Sequence, residues 1–206
     1  MLTIYLTRHG ETRWNLENRF QGSQDSPLTD KGIHNAMMLG ERLNTIDFHA
    51  IYSSPIKRAY DTAQLIKSDK TIPIVAVEDL KEIHFGVWEG KTKDEIETDI
   101  EYKNFWNKPH IYNHKPHKGE DLHTFKQRVE NAVRKIIVEN KDGNILIVAH
   151  AVVIKAILSF TMNISIEKMW DPPFIHGTSL TLFNYDGKEF NFEMIGDTAH
   201  FLEESK

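Results

Sequence analysis

Ile145-Leu146-Ile147-Val148-Ala149-His150 leads, after Ala151, into the apolar segment Val152–Phe160. Five successive apolar residues without alternation describe a strand covered on both faces, and the run that follows has the character of a buried helix. Such a strand needs parallel neighbours and helices on either side. Leu2–Leu6, Ala50–Ser53 and Ile74–Val77 are the matching β-rich runs, separated by segments of helical period. The expected class is therefore α/β, a parallel sheet wrapped by helices. Leu180–Tyr185 and Phe190–Ile195, joined through Asp186-Gly187, predict a β-hairpin with a two-residue turn that finishes the sheet.

Three helices follow from apolar stripes. Thr29 is the expected N-cap of the first, with Ile33, Ala36, Met37, Gly40 and Leu43 on its inner face. The second follows Pro55 and turns Ile56, Ala59, Ala63 and Ile66 inward; the third runs from about Leu122 to Glu139. Between Thr92 and Gly119 the pattern loosens. Thr92 and Glu95 fit a capping box, and an aromatic, histidine-rich stretch follows at Phe105–His117. We expect one domain over residues 1–206, with an inserted cap at approximately 90–120.

Composition narrows the function. With 40% hydrophobic and 27% charged residues, and no apolar run of about 20 residues, the chain is expected to span no membrane. Its N-terminus opens on Leu2–Leu6 without the features of a secretory signal, so a cytoplasmic address is expected. The absence of cysteine excludes disulfides, thiolate catalysis and Cys-ligated zinc. A formal charge of −5 argues against binding nucleic acid through general phosphate attraction, so an anionic substrate needs a local basic pocket.

In open α/β sheets ligands bind beyond the carboxyl ends of the parallel strands. The first strand runs into Arg8-His9-Gly10-Glu11-Thr12, and the second passes through Ser53-Ser54-Pro55 to Arg58. The third is followed by Glu82, and the fourth ends at His150. Taken singly, Arg58 reads as a surface charge and Glu82 as a loop carboxylate; their convergence on one sheet edge is what carries the functional reading. Two arginines, two histidines and a carboxylate suit phosphoryl transfer, which is helped mainly by positioning and fixed positive charge. A neutral imidazole can attack phosphorus, and adjacent arginines keep it unprotonated. Glu82 is the natural proton donor to the leaving oxygen and then the base for water.

Leu6-Thr7-Arg8-His9-Gly10-Glu11-Thr12-Arg13-Trp14-Asn15 resembles the signature of the histidine phosphatase superfamily, which includes cofactor-dependent phosphoglycerate mutase. The resemblance continues in order. Arg19-Phe20-Gln21-Gly22, Asp25-Ser26-Pro27-Leu28-Thr29 and Gly32 are similar to the family's next loop and helix start. Ser53-Ser54-Pro55 with Arg58-Ala59 and Thr62-Ala63, Glu82 with Phe85-Gly86 and Trp88-Glu89-Gly90, and Val148-Ala149-His150 match its later blocks. The resemblance implies a three-layer α/β/α sandwich with a mostly parallel central sheet. It makes His9 the phosphorylated nucleophile and Glu82 the acid/base, with Arg8, Arg58 and His150 holding the phosphoryl group. Asn15, Gln21, Gly22 and Thr178 complete the phosphate site, and neither metal nor cofactor is required.

Two departures from the family pattern stand out: Ala151-Val152-Val153 follows His150 where relatives commonly have glycine, and Gly119-Glu120-Asp121 replaces Gly-Glu-Ser. Ile83–Gly90 looks like the phosphatase branch, and the longer proline-rich segment of the glycolytic mutases is absent. Hydrolysis of a small phosphorylated metabolite by a monomer or homodimer is thus the expected function, with Phe20, Trp106 and Tyr112 as candidate selectors. Phosphoglycerate mutase activity and a catalytically weak binding protein are the alternatives. His110, His114, His117 and His123 also invite a metal-site reading, although interleaved Lys108, Lys115 and Lys118 oppose it.

Overall fold

The computed structural model describes residues 1–201. Its sheet has six strands, β1 (Leu2–Arg8), β2 (Phe48–Ser53), β3 (Ile74–Ala76), β4 (Gly143–Ala149), β5 (Leu180–Tyr185) and β6 (Phe190–Asp197), in the order β3-β2-β4-β1-β5-β6. β4 lies between β1 and β2 and is parallel to both, β2 is parallel to β3, and β5 and β6 are added antiparallel. This central position explains the unbroken apolar run of β4: residues Ile145–Ala149 are fully buried.

The helices are α1 (Arg13–Leu16), α2 (Asp30–Arg42), α3 (Lys57–Lys67), α4 (Lys93–Ile96), α5 (Ile100–Asn107), α6 (Leu122–Glu139) and α7 (Ala151–Thr161). Alternate strand residues serve two cores. Ile4, Leu6, Ile145 and Ile147 pack with α6 and α7, whereas Tyr5, Leu146 and Val148 pack with Leu39, Ala59 and Ala63 of α2 and α3. The result is a three-layer α/β/α sandwich, with helices on both faces of a mostly parallel sheet.

Three local expectations change. Thr29 caps α2 as expected, but Ile33 and Met37 are exposed, and the buried face carries Gly32, Ala36, Leu39 and Leu43. Close approach decides this rotation: a Cβ on Gly32 would overlap the carbonyl oxygen of Glu11, so the helix must turn its glycine inward. The hairpin turn is longer than predicted. Residues 186–189 join the strands, with the Asp186 carboxylate accepting from the N–H groups of Lys188 and Glu189. Finally, the stretch from Phe105 contributes to the core, where Phe105, Tyr112 and Trp88 pack together. Among the described residues no helix is long and apolar enough to cross a membrane.

Candidate active site

Parallel register brings the polar ends of the strands together: Arg8 is paired with Ala149, and Ser53 with Val148. The chain leaves β1 at Arg8-His9, and His9 N–H still bonds Ala149 O at 2.9 Å, which continues the ladder one residue past the strand. His9 is 3% exposed. Its Nδ1 lies 2.7 Å from Gly10 O, so Nδ1 carries the proton, and Nε2 accepts from Arg58 Nε at 3.2 Å. Burial first, then the Arg58 and Arg8 charges, hold His9 well below the ordinary imidazole range. A neutral ring with a fixed tautomer becomes a nucleophile once its Nε2 lone pair exchanges the Arg58 N–H for phosphorus.

Arg58 stands in the first turn of α3 and is almost completely buried. Three acceptors from one loop hold its guanidinium: Gly22 O at 2.8 Å, Gln24 O at 2.6 Å and Asp25 Oδ1 at 3.1 Å. Arg8 gives Nη1 to Ile175 O at 3.0 Å, and its buried Nε has no partner among the described residues. His150, the residue before α7, places its ring 5.2 Å from that of His9. Its Nε2 is 2.8 Å from Ser54 Oγ, and its Nδ1 is buried without a partner among the described residues. Burial lowers the His150 pKa well below its usual value, and neighbouring Arg58 lowers it further. An unpaired buried N–H on Arg8, beside a second arginine and an unpaired histidine nitrogen, makes an environment suited to an anion.

Glu82 is buried at 8% exposure, and its carboxylate accepts from Ile83 N and Val152 N, both at 3.1 Å. Burial raises its pKa, while those two N–H groups and the arginines pull the other way. Val152 N is in the first turn of α7, so the residues that replace the family glycine deliver a helix-terminal N–H to Glu82. The Glu82 loop is held from α6. Arg128 donates to Asp79 O, Lys81 O and Glu82 O, and is itself paired with Glu120 at 2.7 and 2.9 Å. Asp121, the residue of Gly119-Glu120-Asp121 that departs from the family pattern, caps α6 by accepting from Thr124 N at 2.9 Å. Ser and Asp serve equally well as N-caps, which accounts for the substitution.

A cavity of about 390 Å³ brings Arg8, His9, Arg58 and Glu82 together with Asn15, Gln21 and Gly22. Asn15 spends its carbonyl on the α1 capping box. Gln21 Oε1 is buried without a partner among the described residues, and Gly22 contributes its carbonyl to Arg58. His150, whose ring lies behind that of His9, does not line the cavity, and neither does Thr178. The threonine is buried behind Arg8, with N–H bonded to Arg8 O at 3.0 Å and its hydroxyl to Gly177 O, so both donors are already committed. Phe20, Phe85, Tyr102, Trp106 and Phe174 form the outer wall. Of the candidate selectors, Phe20 and Trp106 line the cavity; Tyr112 instead lies beneath it, its hydroxyl 2.7 Å from His117 Nε2. A wider groove of about 630 Å³ behind Arg58, between α2 and α3, contains none of the other converging residues.

The histidine-rich stretch does not assemble a cation site. His117 is stacked on Trp88 at 3.7 Å, His114 faces Asp121, and no group of three or more potential ligands occurs among the described residues. The supporting residues Ser54, Gln24, Glu89 and Arg128 were not singled out as site residues from the sequence. Ser54 and Glu89 fall inside blocks that resemble the family; Gln24 and Arg128 carry no local signal.

Residues 4–198 match the model of the histidine phosphatase superfamily (branch 1), and the chain belongs to that family. It is 32% identical over 171 residues to adenosylcobalamin/alpha-ribazole phosphatase of Escherichia coli (strain K12), covering 82% of this chain and 83% of the relative. Among solved structures it is similar to Bacillus stearothermophilus YhfR, with 43% identity, a TM-score of 0.92, and coverage of 97% and 99% of the two chains. A phosphoserine phosphatase variant from Entamoeba histolytica in complex with phosphoserine gives 30% identity and a TM-score of 0.86, with 98% of this chain and 100% of that one covered.

Proposed function

We propose that this protein hydrolyses small phosphomonoesters through a phosphohistidine on His9. The reading rests above all on the pairing of His9 Nε2 with Arg58 Nε at 3.2 Å, beside a buried carboxyl, within one cavity. Nε2 gives up the Arg58 N–H and attacks phosphorus in line, the bond between phosphorus and the ester oxygen breaks, and the freed Arg58 N–H turns to a phosphoryl oxygen. Glu82, whose pKa burial raises, acts from its protonated form and gives that proton to the departing alkoxide. The Glu82 carboxylate then takes a proton from water as that water attacks the phosphohistidine, which releases orthophosphate and restores both groups. Arg8, Arg58 and His150 bind the equatorial oxygens, whose charge grows in the transition state. Asn15 and Gln21 complete the phosphate end of the cavity.

Residues 90–120 serve as the cap that selects the alcohol, with Tyr102 and Trp106 on the cavity wall. The substrate class is the phosphorylated small molecule, to which the names of the relatives also point. The test is phosphate release from a panel of phosphomonoesters in excess chelator, with 3-phosphoglycerate included under a mutase readout. Hydrolysis that survives chelator and vanishes in His9→Ala supports the reading. Isomerisation of phosphoglycerate without phosphate release would identify a mutase, and binding without turnover a regulatory protein.

A further inference from the structure

Glu89 has no role in the chemistry described above, yet its side chain is only 2% exposed. The nearest basic group is His84 Nε2, 3.9 Å away, so the acid is satisfied almost entirely by neutral donors. Oε1 accepts from Ser23 N at 3.0 Å, Ser23 Oγ at 3.1 Å and Phe85 N at 3.0 Å. Oε2 accepts from Ser23 Oγ at 3.0 Å and Gln24 N at 3.1 Å. A buried carboxylate is costly unless several donors compensate it, and one held this fully fixes the segments that supply them.

Those segments are the two sides of the active site. Residues 22–25 provide every protein oxygen that holds the Arg58 guanidinium, through Gly22 O, Gln24 O and Asp25 Oδ1. Phe85 follows Glu82 on the loop that carries the acid. Gly22 adopts φ +54°, and a Cβ there would overlap Glu89 Oε1, so the carboxylate occupies space that only glycine leaves open. The pairing of Phe20 with Lys91 and Gly90 brings the two loops side by side and seats Glu89 between them.

We propose that Glu89 is a positioning residue for phosphoryl transfer: by gathering the N–H groups of Ser23, Gln24 and Phe85, it fixes the loop that aims Arg58 at His9 and sets that loop's distance from Glu82. This rests on the phosphatase reading above. Glu89 touches neither substrate nor the reacting atoms. It acts through Arg58, whose placement decides both phosphate affinity and the protonation of His9.

The experiment compares wild type, Glu89→Gln and Ser23→Ala for KM, kcat, inhibition by orthophosphate and the pH profile of kcat/KM. Glutamine keeps the size of the side chain but turns an amide toward donors that need an acceptor. Misplacing Arg58 should raise KM and the orthophosphate inhibition constant about 10- to 100-fold. It should also move the acid limb of the profile to higher pH, because His9 loses a nearby positive charge. Removing the Glu89 charge with Arg58 still in place would move that limb the opposite way, and general destabilisation would leave it unmoved. Either result, with KM and phosphate affinity at wild-type values, overturns the proposal. Ser23→Ala deletes an exposed hydroxyl that donates to the same carboxylate, and should show a smaller effect in the same direction even if Glu89→Gln does not fold. Should wild type turn over no ester, the phosphatase reading fails by itself. Calorimetric binding of orthophosphate then decides the role of Glu89: weaker binding in the variants supports it, and unchanged binding refutes it.

Discussion

Arg58 donates its Nε–H to Nε2 of His9 at 3.2 Å, a bond that only an unprotonated Nε2 can accept. Burial, Arg58 and Arg8, in that order, lower the His9 pKa well below its usual value, and burial raises that of Glu82. Turnover requires His9 neutral and Glu82 protonated. kcat/KM therefore rises with pH through the lowered His9 value and falls with pH through the raised Glu82 value, giving an acid-to-neutral optimum. Arg58→Gln removes a charge that lowers the His9 pKa, so its acid limb shifts to higher pH while activity drops about 10²- to 10³-fold. A pH–rate series on wild type and Arg58→Gln checks both limbs, and an acid limb common to the two proteins would contradict this account of His9.

Gly22 is confined by conformation and by space: its φ is +54°, and a Cβ would meet Glu89 Oε1. Gly22→Ala is expected to cost about 1–3 kcal/mol of stability, measured by denaturant unfolding. Because Gly22 O also holds Arg58 Nη2, activity should fall further than the unfolded fraction explains. Assays well below the unfolding midpoint separate the two effects, and full activity in folded Gly22→Ala would show that the loop tolerates displacement.

The sequence disclosed the ends of the strands better than their surroundings. Ile145–Ala149 is apolar without alternation because β4 is central, and that same position brings His150 beside His9, so strand and site were legible together. The rotation of α2 was not legible. Ala36 and Leu43 belong to both possible stripes, and the choice depends on the approach of Gly32 to Glu11, a contact between separate elements. Thr178 illustrates the same limit: it lies beside Arg8, but its N–H is used by Arg8 O. The acceptors around Arg58 escaped because two of them, Gly22 O and Gln24 O, are backbone carbonyls, which every residue type supplies.

Asp121 caps α6 through Thr124 N. Asp121→Ala should lower stability by about 1 kcal/mol, and Asp121→Ser should restore most of it. Activity at a temperature where all three proteins are folded is expected to stay unchanged, since Asp121 is absent from the cavity wall. Thermal unfolding combined with phosphate release tests this. A large loss of kcat in folded Asp121→Ser would assign the acid a role in the cap beyond its helix.

Ser54 is expected to govern which nitrogen of His150 carries the proton. Its Oγ accepts from Ile56 N at 3.3 Å, so its own hydrogen is available to His150 Nε2 at 2.8 Å. When Oγ donates, Nε2 is the acceptor and the ring proton resides on Nδ1, which is buried without a partner among the described residues. That N–H is the donor expected to meet a phosphoryl oxygen. Ser54→Ala removes the hydroxyl and frees the ring to take the other tautomer, so kcat should fall about 10- to 100-fold with the fold intact. Ser54→Thr keeps the hydroxyl and should retain more activity than Ser54→Ala if its methyl group is accommodated. The ¹⁵N shifts of His150 report the tautomer directly. Proton occupancy at Nδ1 in wild type and its loss in Ser54→Ala would support this role, whereas an Nε2-protonated ring in wild type would require a different donor for the phosphoryl oxygen.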